Sequence, residues 1–326
     1  MKKIISILMV SVMILTLFTF TGCKNEEPTL KLGLGLDIAA SATDATADKA
    51  GQGQATVTAA AVLVDADGKI VKAFIDCADN KVGYTEEGKA VANDSFNTKY
   101  ELGKDYNMVA YGGSVKEWFE QADAFCALIV GKTAAEVKAL VAEGNKGTDE
   151  VLGAGCTIEI SEFANAVDNA ISNATASNAT KNDTLKLGIS TIQTVADATE
   201  DKAGSNKVEI NFFAAAVNAE GKVVAASSDC VEVSFGFDIA GKSTFDATKE
   251  VVSKKAQGDS YGMKAYGGSA KEWFEQAAAF DAACVGKAAN EIEGLMAEDN
   301  KGSADLQSAG CTIIVSGFVK AASKIG

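Results

Sequence analysis

Apolar and β-branched residues crowd the stretch from Gln54 to Val64, break at Asp65-Ala66-Asp67-Gly68, and resume from Lys69 to Asp76. Two apolar runs around an Asp/Gly turn predict a β-hairpin. Asn218-Ala219-Glu220-Gly221 offers the same turn chemistry further on. Elsewhere the pattern changes from run to stripe: Val115, Trp118, Phe119, Ala122, Phe125, Cys126 and Ile129 recur at spacings that fall on one face of a helix. Ser114 stands three residues before Glu117, and Ser269 three before Glu272, a capping-box spacing that predicts a helix start in each place. Thr133 with Glu136 predicts a second helix. A polar loop from Glu143 to Gly147 follows, then a short strand over Cys156 to Ile160 and a helical pattern over Phe163 to Ile171.

This pattern occurs twice, at a spacing of about 155 residues. Thr29-Leu30-Lys31-Leu32-Gly33 recurs as Thr184-Leu185-Lys186-Leu187-Gly188, and Tyr111-Gly112-Gly113-Ser114 as Tyr266-Gly267-Gly268-Ser269. Lys116-Glu117-Trp118-Phe119-Glu120-Gln121-Ala122 recurs from Lys271 to Ala277. Hairpins followed by short helices predict an α+β fold made of two tandem homologous domains, each an antiparallel sheet with packed helices. The expected boundaries are 29–172 and 184–326. The intervening 173–183, rich in Asn, Ala, Thr, Ser and Lys, reads as a flexible polar linker.

At 326 residues with 47% hydrophobic and 23% charged positions, the chain has the composition of a globular protein of two ordinary domains. Its net charge of -14 disfavours nucleic acid and anionic lipid headgroups as partners. The absences narrow the chemistry further. There is no histidine, and all 30 basic residues are lysine. Histidine-based nucleophile systems, haem attachment and histidine-ligated zinc or copper are thereby excluded, as is the bidentate fork of arginine. No cysteines cluster at iron–sulfur spacings. Cys77 matches Cys230 and Cys156 matches Cys311, whereas Cys126 and Cys284 fall on apolar stripes and read as packing residues. Disulfides remain open, because spacing does not give a pairing.

The chain begins with Lys2-Lys3, an apolar run from Ile4 to Phe20, and Thr21-Gly22-Cys23. A basic start, a short apolar core and a small-residue cleavage site describe a secretion signal over 1–22. Phe20-Thr21-Gly22-Cys23 resembles the bacterial lipobox. That resemblance implies a lipidated Cys23, a tether over 23–28, and an extracytoplasmic chain anchored to the cell membrane.

The stretch Ala154-Gly155-Cys156-Thr157-Ile158 recurs as Ala309-Gly310-Cys311-Thr312-Ile313, while much of the sequence around it has drifted. Spacing alone leaves two readings open, a tight turn before a strand and a site that presents a hydroxyl. The stretch resembles the flavinylation motif of FMN-binding domains, in which an Asp precedes a small-residue turn and a final threonine. In that family a flavin transferase joins the threonine oxygen to the phosphate of FMN. The resemblance implies Thr157 and Thr312 as acceptors, Gly155, Cys156, Gly310 and Cys311 as the turns before them, and Asp305 as the acid of the second copy. Two departures stand out: cysteine replaces the alanine before the threonine, and Asp305 lies one residue farther from its threonine than in the family. In the first copy the aligned acid is Glu150, with Asp149 beside it.

Signal, lipobox and two such domains together resemble the flavin-carrying lipoproteins of Gram-positive extracellular electron transfer. The resemblance implies two covalent FMN groups, reduction by a membrane quinone-linked flavoprotein system, and delivery of electrons to extracellular acceptors such as ferric iron. Trp118 and Trp273 offer faces on which a flavin can stack, but an aromatic stripe at helical spacing is ordinarily core, and that reading is kept. A carrier is expected rather than an enzyme, since no convergent acid–base pair is present. The rival reading is a non-redox surface lipoprotein whose tandem domains bind a ligand or a protein.

Overall fold

The computed structural model describes residues 29–326; the expected signal and Cys23 lie outside the described residues. Strands β1 (Lys31–Thr43), β2 (Gly51–Val64) and β3 (Ile70–Tyr84) form an antiparallel meander, extended by two-residue strands β4 (Ala90–Val91) beside β3 and β5 (Thr175–Ala176) beside β1. A second meander comprises β6 (Thr184–Ala196), β7 (Gly204–Val217) and β8 (Val223–Phe237). The predicted hairpin is present and longer than expected, pairing from Val64 with Ile70 out to Gly51 with Tyr84. Its turn is closed by Asp65, whose carboxylate accepts from the N–H groups of Asp67 and Lys69, both at 2.9 Å, while Gly68 takes φ 76°. Asn218 and Gly221 build the second turn in the same way.

Ten α-helices, most of them short, flank the sheets among the described residues. In the first repeat these are α1 (Lys99–Leu102), α2 (Trp118–Ile129), α3 (Ala134–Lys138), α4 (Asp149–Ala154) and α5 (Ser161–Ser172). In the second they are α6 (Lys254–Gln257), α7 (Trp273–Cys284), α8 (Ala289–Ile292), α9 (Ala304–Ser308) and α10 (Ser316–Ser323). The box of Thr133 and Glu136 caps α3 as expected. The start of α2 differs: Glu117 itself is the N-cap and pairs with Glu120, as Glu272 pairs with Glu275 on α7. Residues Cys156 to Ile160 form no strand; only an isolated bridge joins Glu159 to Lys146.

The fold is α+β as expected, with an antiparallel sheet and packed helices in each repeat, but the two repeats pack closely against each other. The central strands are apolar on both faces, which explains their near-continuous hydrophobic runs. On β2, Ala59, Ala61 and Leu63 face the other sheet, and Ala60, Val62 and Val64 face the helices. On β7, Phe212, Ala214 and Ala216 face the first sheet, and Phe213 and Ala215 face α7 and α10. The result is four layers, helices, sheet, sheet, helices, with one core between the sheets shared by both repeats. Contacts across it come in matched pairs: Ala45 N–H donates to Gly241 O and Ala198 N–H to Gly88 O, both at 2.8 Å. Asp44 likewise accepts from Ser243 N–H, and Asp197 from Ala90 N–H. Such reciprocity is the signature of a two-fold, isologous contact within one chain. Residues 173–183 are tied down rather than flexible. Thr175 and Ala176 pair with β1, Ala179 is fully buried, and Leu30 N–H donates to Ala179 O at 2.7 Å.

Candidate functional site

The threonine stretch is a helix terminus. At the end of α4, Gly155 takes φ 94°, its N–H donates to Leu152 O, and Cys156 N–H donates to Val151 O. At the end of α9, Gly310 takes φ 96°, its N–H donates to Gln307 O, and Cys311 N–H donates to Leu306 O. This is a Schellman motif, which needs a residue free to adopt a left-handed conformation and places an apolar residue just beyond it. Cys156 and Cys311 are those apolar residues, fully buried in the helix–sheet cores. Burial pushes each thiol up to about 11, so both are protonated at neutral pH. All six cysteines described are free thiols, and none pairs with another.

The next residue emerges from the core, so Thr157 and Thr312 are exposed. Each is held by a buried glutamine that sequence reasoning missed. Gln121 Oε1 accepts from the backbone N–H of Thr157 at 2.7 Å and from its hydroxyl at 3.1 Å. Gln276 Oε1 accepts from the same two groups of Thr312 at 2.8 and 3.0 Å. The glutamines are themselves fixed. Gln121 Nε2 donates to Ser114 Oγ at 2.9 Å and to Lys116 O at 3.0 Å, and Gln276 Nε2 makes the equivalent bonds to Ser269 and Lys271. The serines expected to cap helices thus orient the glutamines instead. The signal was present in the repeated Glu-Trp-Phe-Glu-Gln run, where a polar residue lies on an otherwise apolar face.

A lysine stands over each turn. A Cβ on Gly155 would lie 2.2 Å from Lys116 Nζ, and one on Gly310 would lie 2.3 Å from Lys271 Nζ. Lys271 Nζ also donates to Ala309 O at 2.9 Å. Asp305 lies exposed in the first turn of α9, and Glu150 pairs with Lys132 at 2.9 Å. In the second repeat, Thr312 borders a cleft of about 300 Å³ lined by Glu209, Lys254, Tyr261, Met263, Trp273 and Phe318, among others. Trp118 and Trp273 are core residues, as expected, and pack against Phe163 and Phe318 at 5.6 and 5.8 Å between ring centroids.

Each repeat thus presents an exposed threonine hydroxyl held by a buried glutamine, with a lysine over the glycine two residues before it, and in the second repeat a cleft lined partly by aromatic side chains. Among the described residues no cluster of acidic or cysteine side chains is placed to hold a metal, and no helix is long and apolar enough to cross a membrane. No protein-family model matches the chain, and no curated protein or solved structure matches it.

Proposed function

We propose that the protein is a surface electron carrier of the PplA type, bearing one FMN on Thr157 and one on Thr312 through phosphoester bonds. The observation that carries this reading is the same clamp built twice: an exposed threonine hydroxyl donating to a buried glutamine beside a lysine. Because the hydroxyl hydrogen is directed to Oε1, the lone pairs of Oγ are left for an incoming phosphorus atom; as the O–P bond forms, the phosphoanhydride bond of a flavin dinucleotide donor breaks with release of a nucleoside monophosphate, and the hydroxyl proton leaves to the transferase. Lys116 and Lys271, whose ammonium groups stand over Gly155 and Gly310, would offset the phosphate charge that results. FMN would supply the redox chemistry when bound, and the chain would hold it through Thr157 and Thr312. A chain without histidine or arginine is suited to this division of labour.

In this reading a flavin transferase loads the chain outside the cytoplasm, where lipid on Cys23 anchors it. A membrane quinone-linked flavoprotein system reduces it, and extracellular acceptors such as ferric iron take the electrons. Thr157→Ala and Thr312→Ala, co-produced with a flavin transferase, should each retain about half of the flavin fluorescence on a denaturing gel, and the double variant none. A wild-type chain without fluorescence under those conditions would contradict the proposal.

A further inference from the structure

The cleft beside Thr312 has a charged floor that attachment alone does not require. Lys254, only 8% exposed, lies with its Nζ 3.6 Å from a Glu209 carboxylate oxygen and 3.2 Å from one of Glu232. The same Nζ sits 5.7 Å from the ring centroid of Tyr261 and 5.9 Å from that of Trp273, close enough for a cation–π contact with each. The first repeat repeats the arrangement with other neighbours: Lys99 Nζ stands 5.6 Å from the Tyr106 ring and 5.7 Å from the Trp118 ring. Around the two lysines the sequence has diverged, since the positions of Glu209 and Glu232 on β7 and β8 are held by Thr56 and Asp79 on β2 and β3.

Burying an ammonium costs desolvation, and an apolar residue of similar length would fill the space without that cost. Packing therefore does not account for a lysine at this position in both repeats. We propose that Lys254 sets the redox potential of the flavin on Thr312 by placing a positive charge at the floor of the cleft that its ring enters. The inference rests on the reading of Thr312 as a flavin acceptor. Two-electron reduction of an isoalloxazine, with the electrons from a reductant and one proton from water, would add one net negative charge. A fixed cation nearby favours that state, and the carboxylates of Glu209 and Glu232 oppose it. Burial alone would lower the pKa of Lys254, but interactions with Cys230, Glu209, Tyr261 and Glu232 outweigh it and raise the net value. The cation is therefore permanent at physiological pH.

The test uses Thr157→Ala as the parent, so that Thr312 carries the single flavin, and titrates it anaerobically with dithionite against a dye of known potential. Lys254→Met should lower the equilibrium constant for two-electron reduction at least tenfold, a fall of about 30 mV. Glu209→Gln, which keeps the lysine and removes one opposing charge, should shift it in the opposite direction, and it decides the matter alone should Lys254→Met fail to load. Intact mass taken on the same samples separates the two readings. A parent without an FMN addition overturns both the attachment and the role of the lysine. A loaded parent whose potential stays within about twofold in equilibrium constant in the variants overturns the role of the lysine alone.

Discussion

Glutamine is an unusual residue to bury completely, and Gln121 and Gln276 bury at 0% and 1% exposure because all their polar atoms are used. Replacing Gln276 by leucine removes the acceptor for the Thr312 N–H and hydroxyl while keeping the side-chain volume. The expected result is a selective loss of flavin from the second repeat with the first still loaded, read by peptide mapping. Gly310→Ala is expected to cost at least about 1 kcal/mol in urea unfolding, since φ 96° disfavours any Cβ and Lys271 must move. The threonines were legible in the sequence because Ala-Gly-Cys-Thr-Ile occurs twice. Their glutamine partners were not, because a residue thirty-six positions away meets them only through the packing of α2 and α7. The cysteines, singled out by their position next to the threonine, prove to be the apolar closing residues of a helix end.

At the scale of elements, buried acids organise the short helices. Asp76, on β3, accepts from the N–H groups of Cys77 at 2.6 Å and Tyr100 at 3.0 Å, tying the start of α1 to the sheet. Asp229 does the same for α6 through Cys230, Lys255 and Ser253. Burial pushes Asp76 from its ordinary 3.8 up to about 6, with hydrogen bonds from Thr98, Tyr100 and Cys77 offsetting part of the rise. The folded chain thus holds a proton that the unfolded chain has released, so this group's contribution to stability is greatest below pH 3.8 and falls as pH rises to about 6. Asp76→Asn should flatten that part of the profile relative to wild type, measured by urea midpoints between pH 4 and 7. The hairpins and the helical stripes were readable from periodicity. The start of α2 was misplaced because Ser114 and Glu117 have capping-box spacing, while Glu117 instead accepts from Met108 and Val109 N–H groups and caps the helix itself.

The whole molecule departs most from what the sequence suggested, and for a physical reason. A polar stretch such as 173–183 has little to bury, but it can still be held through its backbone, and here β1 supplies the partners. The sheets then cover each other's inner faces, and equivalent residues meet. Tyr84 stacks on Phe237 with centroids 4.5 Å apart, and the Tyr84 hydroxyl donates to Thr43 O at 2.7 Å. Tyr84→Ala should therefore destabilise both repeats together by about 3–5 kcal/mol, in a single unfolding transition seen by circular dichroism. Close packing of this kind carries the two threonines on opposite outer layers, with sheets about 10 Å apart between them, and leaves no room for the repeats to swing independently. The most direct test of the account is the intact mass of the mature chain after co-production with a flavin transferase. Two FMN additions, reduced to one in Thr157→Ala and in Thr312→Ala, are the predicted result; a wild-type mass without any addition, or additions that persist in the double variant, would contradict it.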